Sequence, residues 1–289
     1  MITVRDAAGL PPFHGGVFVP TMGALHAGHV ALIERAERIA GRERPRLPVI
    51  VSVFVNPTQF NEKQDFDRYP RDIERDTDLC ARAGADCVFV PSVEAIYPPD
   101  GSVKPPQLPA VARQPGLEDA FRPGHFAGVC QVVKRLFELV RPAAAVFGEK
   151  DWQQLAVIRA MVEEQKMPVR IEAHETIREA DGLAMSSRNA LLSPSERRRA
   201  TALFKALREA SRHEAPAAAE KAMRPVLLIN RVVPEYAVVR DAATLGPVAT
   251  GRPARALIAA RLGSVRLIDN APWPGSAVAG IGRGLSLER

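Results

Sequence analysis

The sequence predicts an α/β fold with a parallel sheet flanked by helices, followed by a smaller C-terminal domain of α+β type. Up to about residue 178, short apolar runs alternate with segments of helical periodicity, a pattern typical of parallel strands joined by crossover helices. All but the last of the predicted strands are rich in Val, Ile or Phe, as expected when both faces of a sheet are covered. The pattern then changes. We therefore expect domains at 1–178 and 179–289.

Five strands and four helices are predicted in the first domain. The strands are Val17–Pro20, Val49–Val55, Asp86–Pro91, Ala144–Gly148 and Val169–Ala173. The helices are Gly28–Ala40, Asp72–Ala83, Phe126–Val140 and Trp152–Gln165. Gly41 and Gly84 stand where C-terminal caps belong. Residues 92–125 are rich in proline and predict a long loop of the kind that binds ligands or acts as a lid.

The second domain is predicted to begin with two helices and to continue as a small antiparallel sheet. Ser193-Pro194-Ser195-Glu196 places a serine N-cap, a proline at the first helical position and a glutamate three residues after the cap. The predicted strands are Glu235–Arg240, Arg255–Leu262 and Val265–Ile268. The final segment, Gly275–Arg289, is expected to be loosely held.

Composition excludes disorder and gives little support to nucleic-acid binding. Hydrophobic residues make up 46% of the chain and charged residues 25%, with a net charge of +6 and a pI near 9.5. The basic residues are interspersed with acids, and the dense run Arg197-Arg198-Arg199 is interpreted as the solvated face of a helix. A nucleic-acid binder, which the pI alone would support, predicts salt-sensitive binding to polynucleotide.

Cysteine usage and hydropathy indicate a cytoplasmic protein without a membrane partner. Cys80, Cys87 and Cys130 lie in apolar segments and form no Cys-x-x-Cys pair, so we expect buried thiols. No basic stretch followed by an apolar run begins the chain, and no run of about 18 apolar residues occurs in it.

The most informative segment follows the first predicted strand: Pro20-Thr21-Met22-Gly23-Ala24-Leu25-His26-Ala27-Gly28-His29. Glycines at the carboxyl end of a strand let the backbone approach a phosphate, and the helix N-terminus offers free N–H groups. His26 and His29 are three residues apart, so both imidazoles can donate to phosphate oxygens. A zinc half-site and two core histidines are the alternatives, but no nearby Cys, Glu or third His completes a zinc site. The segment favours nucleotide binding.

Two later segments also follow predicted strands. Asn56 and Gln59 come after the second strand and either satisfy the backbone of a turn or, for Gln59, bind a hydroxy acid. Phe147-Gly148-Glu149-Lys150-Asp151-Trp152-Gln153-Gln154 is either a capped helix with an exposed lysine or a phosphate site.

A fourth segment, Met185-Ser186-Ser187-Arg188-Asn189, combines two hydroxyls with a guanidinium. It is either a common loop composition or a mobile clamp for a triphosphate. An early His-x-Gly-His followed by a late basic-hydroxyl loop is the arrangement of adenylate-forming enzymes. A nucleotidylyltransferase, which keeps the nucleotide in its product, is the alternative enzyme class.

These segments resemble those of the pantothenate synthetase family, within the His-x-Gly-His nucleotidylyl transferase superfamily. The likeness extends to three further motifs: Asp65-Phe66-Asp67-Arg68-Tyr69-Pro70-Arg71, Arg122-Pro123-Gly124-His125-Phe126 and Arg266-Leu267-Ile268-Asp269-Asn270. It implies a Rossmann-like domain that binds ATP and pantoate, with residues 179–289 covering the active site. It also implies a homodimer that condenses pantoate with β-alanine through a pantoyl adenylate, using ATP and Mg²⁺.

The resemblance implies a role for each matching residue. His29 would be the catalytic histidine and His26 its partner, and Lys150 would be the third catalytic residue. The substrate ligands would be Gln59, Gln154 and Asn56. Asp76, beside which Arg75 replaces an expected acid, would help to hold the magnesium ion. The implied ATP ligands are Met22, Gly23, Ala24, Leu25, His26, Ala27, Gly28, His29, Gly148, Glu149, Lys150, Asp151, Ile177, Met185, Ser186, Ser187 and Arg188.

Overall fold

The computed structural model describes residues 1–59, 66–67, 69 and 71–273. By their internal contacts the residues group into two units, Met1–Ile177 and a second that begins at Arg178. Asp65, Arg68 and Pro70 of the motif predicted at 65–71 lie outside the described residues, as does the whole of Gly275–Arg289.

A six-stranded parallel sheet forms the centre of the first unit. Its strands are β1 (Ile2–Val4), β2 (Val17–Thr21), β3 (Val49–Val53), β4 (Cys87–Phe89), β5 (Ala144–Gly148) and β6 (Arg170–His174). They lie in the order β1-β4-β3-β2-β5-β6. The chain first builds the sheet outward from β2 through β3 to β4, and then returns to place β5 on the other side of β2. In such sheets, ligands bind at the carboxyl ends of the two strands where the direction reverses.

The predicted α/β class and its parallel sheet are confirmed, with some differences in the strands. The predicted strand Asp86–Pro91 is limited to Cys87–Phe89, and the predicted strands at 17–20 and 169–173 differ from β2 and β6 by one residue at their ends. The sequence reading missed β1, because three residues that include the exposed Ile2 give no apolar run. The second predicted strand ends at Val53 and not at Val55, so Phe54 and Val55 belong to the loop that follows. That shorter strand places the loop carrying Asn56 at the edge of the sheet.

Six helices are seen in the described part of the first unit. They are α1 (Ala27–Ala40), α2 (Ile73–Arg82), α3 (Val93–Ile96), α4 (Glu118–Phe121), α5 (His125–Val140) and α6 (Trp152–Glu164). The four predicted helices are present, with ends that differ by one residue. The interpretation of residues 92–125 as loop alone was wrong, because the short helices α3 and α4 form there between the prolines.

Buried residues of β2 and β3 pack against α1 and α2. This cluster includes Val17, Val19, Ile33, Val49 and Val51. As predicted, the three cysteines are free and buried. Burial raises the thiol pKa to about 12 for Cys80, about 11 for Cys87 and about 12 for Cys130.

The second unit places helices before an antiparallel sheet. The helices are α7 (Pro194–Ala200), α8 (Ala202–Ala210) and α9 (Pro216–Ile229), and the strands, in the order β7-β8-β9, are β7 (Val233–Asp241), β8 (Ala254–Leu262) and β9 (Val265–Trp273). The predicted α+β type is confirmed, but the prediction of two helices was wrong, because Thr201 separates α7 from α8. The cap at Ser193 forms as predicted, with Ser193 Oγ accepting from the Glu196 N–H.

None of the helices in the described parts of either unit is both long and apolar enough to span a bilayer.

Candidate active site

Three of the predicted segments meet at one edge of the parallel sheet. The turn 22–26 follows β2, the turn Pro57–Gln59 follows β3, and the turn Glu149–Asp151 follows β5. Because β3, β2 and β5 are neighbours and run parallel, their carboxyl ends lie side by side. The residues predicted to bind ATP phosphates and a hydroxy acid are therefore brought to the crevice between β2 and β5 and to the strand beside it.

The turn after β2 is fixed by side chains beneath it. Thr21 Oγ1 donates to the Ser52 carbonyl over 2.7 Å and accepts from the Gly23 N–H over 3.3 Å. The buried carboxylate of Asp76 accepts from the Ala24 and Leu25 N–H groups, each over 2.8 Å. Gly23 has a φ of +80°, and a Cβ atom at this position would lie 2.8 Å from Asp76 Oδ2. A glycine is therefore required here by both conformation and space.

The two histidines present the same ring nitrogen outward. His26 is the N-cap of α1, and its Nδ1 accepts from the Gly28 N–H over 3.1 Å. His29 Nδ1 accepts from the His26 N–H over 3.3 Å, and the two ring centroids are 4.1 Å apart. A neutral imidazole that accepts at Nδ1 carries its proton on Nε2. Neither Nε2–H group has a hydrogen-bond partner within the described part of the chain, so both remain available to donate to a ligand.

Both histidines are neutral at physiological pH. Burial lowers the pKa of His26 to about 4, and the nearby positive charge of Lys150 adds to the effect, while Asp151 opposes it. Burial lowers the pKa of His29 to about 3, with smaller contributions from His26 and Lys150. The histidines are therefore neutral groups that can donate a hydrogen bond, and the positive charge that lowers the pKa of both is that of Lys150.

Lys150 is held near the imidazoles by the turn that joins β5 to α6. Its side chain is 19% exposed, and its Nζ lies 4.0 Å from Asp151 Oδ2. The turn that carries Lys150 follows β5, the neighbour of β2, and the positive charge of its ammonium group contributes to the lowered pKa of both histidines. An ammonium beside two N–H donors suits an anion that carries several negative oxygens.

The backbone of Gln59 is anchored by two side chains near the start of α5. The Gln59 carbonyl accepts from Arg122 Nη2 over 3.0 Å and contacts His125 Nδ1 over 3.3 Å. Arg122 Nη1 lies 3.1 Å from His125 Nε2, and because a guanidinium only donates, Nε2 must accept. His125 Nδ1 therefore carries the proton and donates to Gln59. The pKa of His125 is lowered to about 3, chiefly by burial and also by the positive charge of Arg122.

Sequence reasoning missed this support. Arg122 and His125 entered only as part of a motif, without a role. Their three-residue spacing at the predicted start of a helix, the same spacing as that of His26 and His29, is the signal that could have found them.

Asn56 has a structural role, and its side chain does not point a free amide at the crevice. The residue is 1% exposed, and its Nδ2 donates to the Gly128 carbonyl over 3.3 Å. Its Oδ1 accepts from Tyr97 Oη over 2.6 Å and from the N–H and Oγ1 of Thr58. Of the two interpretations of Asn56, these contacts favour the one in which it satisfies the turn.

The consecutive glutamines of α6 differ in whether their side-chain amides are bonded to other protein groups. Gln153 is buried, and its Oε1 accepts from the Glu118 N–H over 2.9 Å while its Nε2 donates to Val111 and Asp119. Gln154 is half-buried, and its side chain makes no hydrogen bond to another described residue. The same holds for the side-chain amide of Gln59 among the residues that the structure describes. The side-chain amides of Gln59 and Gln154 are therefore available to bind a ligand.

The described residues do not fit a magnesium ion held by the protein. Asp76 is 1% exposed, and both of its oxygens already accept backbone N–H bonds. Across the described ranges, no three His, Cys, Asp or Glu side chains come together as they would in a metal site built by the protein alone.

The remaining predicted ATP ligands lie further along the chain. Ile177 is half-buried and follows β6, the strand beside β5. Met185–Arg188 belongs to the second unit, where Ser186 Oγ accepts from the Arg188 N–H over 3.3 Å at the start of the turn Ser187–Leu191. Its predicted role as a clamp for the triphosphate stays a prediction.

Comparison with known proteins points to one family. A model of the pantoate-beta-alanine ligase family matches residues 14–272. The pantothenate synthetase of Rubrobacter xylanophilus is 50% identical over 270 residues, which cover 89% of this chain and 90% of that protein. That of a Nocardioides species is 48% identical over 267 residues, covering 88% and 77% of the respective chains.

Solved structures give the same picture. The pantothenate synthetase of Thermus thermophilus has a TM-score of 0.84 and 43% identity, and the match covers 94% of this chain and 99% of that one. The pantoate-beta-alanine ligase of Francisella tularensis, solved with beta-gamma ATP and beta-alanine, has a TM-score of 0.74 and 31% identity, with coverage of 94% and 97%.

Proposed function

Because the chain belongs to the pantoate-beta-alanine ligase family, we propose that it condenses pantoate with β-alanine, using ATP, to give pantothenate, AMP and pyrophosphate. The observation that carries the proposal is the order of the strands: the segments that hold His26 and His29, Lys150 and Gln59 follow the neighbouring parallel strands β2, β5 and β3. The side-chain amides of Gln59 and Gln154 have no partner among the described residues, and both histidines accept at Nδ1 and so carry a proton on Nε2.

In the first step, a carboxylate oxygen of pantoate attacks the α-phosphorus of ATP. A bond forms between this carboxylate oxygen and the α-phosphorus. The bond from the α-phosphorus to the oxygen that bridges it to the β-phosphate breaks, and pyrophosphate leaves with the electron pair. Negative charge grows on the phosphate oxygens along this path. His26 and His29 donate hydrogen bonds from Nε2–H to these oxygens, and Lys150 supplies positive charge. These interactions become stronger as negative charge grows on the oxygens, and so they stabilise the transition state.

Neutral histidines suit this role. With pKa values of about 4 and about 3, neither imidazole takes up a second proton at neutral pH. Each can act as a fixed donor whose orientation is set by the backbone N–H group on its other nitrogen. Because these dipoles are already oriented, little reorganisation is needed during the reaction.

In the second step, the neutral amine of β-alanine attacks the carbonyl carbon of pantoyl adenylate and forms a carbon–nitrogen bond. AMP leaves with the electron pair of the broken carbon–oxygen bond, and the nitrogen loses a proton to solvent. Gln59 and Gln154 are proposed to hold pantoate through their amides, and Gln59 also to contact β-alanine. Positioning supplies much of the acceleration, because the mixed anhydride is itself reactive. The grip of Arg122 and His125 on the Gln59 carbonyl limits the freedom of that amide.

The other partners remain part of the proposal. Magnesium is proposed to arrive with the phosphates of ATP as part of the substrate. Met22–His29, Gly148–Asp151, Ile177 and Met185–Arg188 remain the proposed ATP ligands. Homodimerisation, a cytoplasmic location and the predicted division of roles at residue 178 are likewise carried as proposals. Light scattering of the purified chain would test the dimer.

The deciding experiment incubates the purified protein with pantoate, β-alanine and magnesium ATP. We expect AMP and pantothenate in equal amounts, identified by mass, and pyrophosphate without β-alanine in an amount limited to about one per active site. A product that retains the nucleotide would replace the ligase by a nucleotidylyltransferase. An unchanged pyrophosphate burst in His29→Ala would remove His29 from the first step.

A further inference from the structure

We propose that Asp76 is a positioning residue that holds the turn between β2 and α1, and that it is not a ligand of magnesium. The proposal rests on the proposed function, because the turn matters only if the histidines beyond it bind a nucleotide phosphate. It departs from the role that the family resemblance implied for Asp76.

The carboxylate has two partners in the turn, and they occupy both of its oxygens. Oδ2 accepts from the Ala24 N–H and Oδ1 from the Leu25 N–H, each over 2.8 Å. These two N–H groups immediately precede the N-cap His26. A carboxylate that accepts backbone N–H bonds makes stronger hydrogen bonds than a neutral acceptor would.

The turn that Asp76 holds has an unusual backbone. Gly23 has a φ of +80° and Ala24 a φ of +51°, so two consecutive residues are in the left-handed region. For Ala24 that conformation is unfavourable by about 1 kcal/mol and persists only where surrounding contacts enforce it. The contacts that enforce it here come from Asp76 and, through the Gly23 N–H, from Thr21.

Burial argues against a role as a metal ligand. Asp76 is 1% exposed and lies beneath the turn, inside the first turn of α2. Magnesium keeps several of its waters when it binds to proteins, and such an ion needs room around the carboxylate. A Cβ added to Gly23 would already lie 2.8 Å from Oδ2, so the space next to that oxygen is filled by the turn itself.

The consequence for the site is geometric. If the Ala24 and Leu25 N–H groups lose their acceptor, the turn relaxes, and both histidine rings move with it because His26 is the N-cap of α1 and its N–H orients His29. Asp76 would therefore govern the binding of any adenine nucleotide whose α-phosphate meets the imidazoles, with or without a metal ion.

The test compares Asp76→Asn with the wild-type chain by calorimetry, using AMP in the presence of EDTA as the probe. We expect the AMP Kd to rise by at least tenfold, and the Kd for magnesium ATP to rise by a similar factor that added magnesium does not restore. Asp78→Asn is the matched control, since it removes the same charge from the same helix at an exposed ion pair with Arg82. It should leave both Kd values unchanged.

Asp76→Glu provides a second variant that keeps the carboxylate. A longer side chain cannot reach the two N–H groups in the same geometry, so we expect it to lose AMP affinity as well. If Asp76 acted only as a magnesium ligand, AMP binding in EDTA would be unchanged in both variants. Normal AMP binding in Asp76→Asn, or in Asp76→Glu if the first variant does not fold, would overturn the proposal. If the wild-type chain binds neither AMP nor ATP, the proposed function itself fails, which is a distinct result.

Discussion

Mild acid should destabilise the first unit, because three of its histidines are held neutral. The folded pKa is about 4 for His26 and about 3 for His29 and His125, while an unfolded histidine has a pKa of about 6.5. Below that value the unfolded chain binds more protons than the folded one. The free energy of unfolding therefore falls as the pH decreases from about 6.5 towards the folded pKa values.

The size of the effect follows from these values. At pH 5.5 an unfolded histidine with a pKa of 6.5 is about nine-tenths protonated, and taking up that proton favours the unfolded state by about 1.4 kcal/mol. The folded forms bind almost no proton at that pH. Between pH 7.5 and 5.5 we therefore expect a loss of about 4 kcal/mol for the three groups together, a large part of the stability of an ordinary domain.

Urea unfolding at the two pH values measures this loss. Fluorescence of Trp152 in a Trp273→Phe background confines the signal to the first unit. His29→Gln and His125→Gln should each reduce the difference between the two pH values by about 1.4 kcal/mol. Ile33→Val, on the buried face of α1, should cost about 1 kcal/mol at both pH values and leave the difference unchanged. Equal stability of the wild-type chain at pH 7.5 and 5.5 would refute the reasoning.

Three further predictions concern the edge of the sheet. Lys150→Met should slow pyrophosphate release by about 100-fold and raise the pKa of both imidazoles by removing a nearby positive charge, which histidine NMR titration would detect. Gln154→Ala should raise the KM for pantoate and leave the free energy of unfolding unchanged to within about 0.5 kcal/mol. Gln153→Ala loses the three hydrogen bonds of a buried side chain and should lower the free energy of unfolding in urea by about 2–3 kcal/mol. The opposite pattern would mean that the roles of the two glutamines are exchanged. Gly128→Ala would place a Cβ 2.6 Å from the Thr58 carbonyl, so thermal unfolding should show a loss of about 1–3 kcal/mol, and full stability would contradict the close approach.

Much of the fold could be predicted because its signals are local. A short stretch of sequence is enough to predict the Val-rich strands β2 and β3, the periodic helices and the cap at Ser193. The strand β1 could not be found in this way, because its pairing with β4 joins residues more than 80 positions apart. The break at Thr201 was also missed, because that residue keeps helical dihedral angles and carries no proline or glycine signal.

In the site, too, some features could be predicted from local sequence and others depend on packing between distant residues. The sequence predicts which residue types gather at the carboxyl ends of β2, β3 and β5, because topology brings those ends together. It does not predict which of two similar neighbours faces inward. Only the packing reveals that Gln153 is buried in protein contacts while Gln154 is not, and that both oxygens of Asp76 are already bonded.

The buried thiols offer a built-in reporter of opening. Cys80 lies on α2, Cys87 on β4 and Cys130 on α5, and the chain has no other cysteine. The thiolate is the form that attacks an alkylating reagent, and burial makes it scarce here. Modification of each sulfur therefore requires a fluctuation that admits solvent. The labelling rates of the three cysteines, measured separately on the unaltered chain, would therefore show whether α2, β4 and α5 open to solvent together or independently.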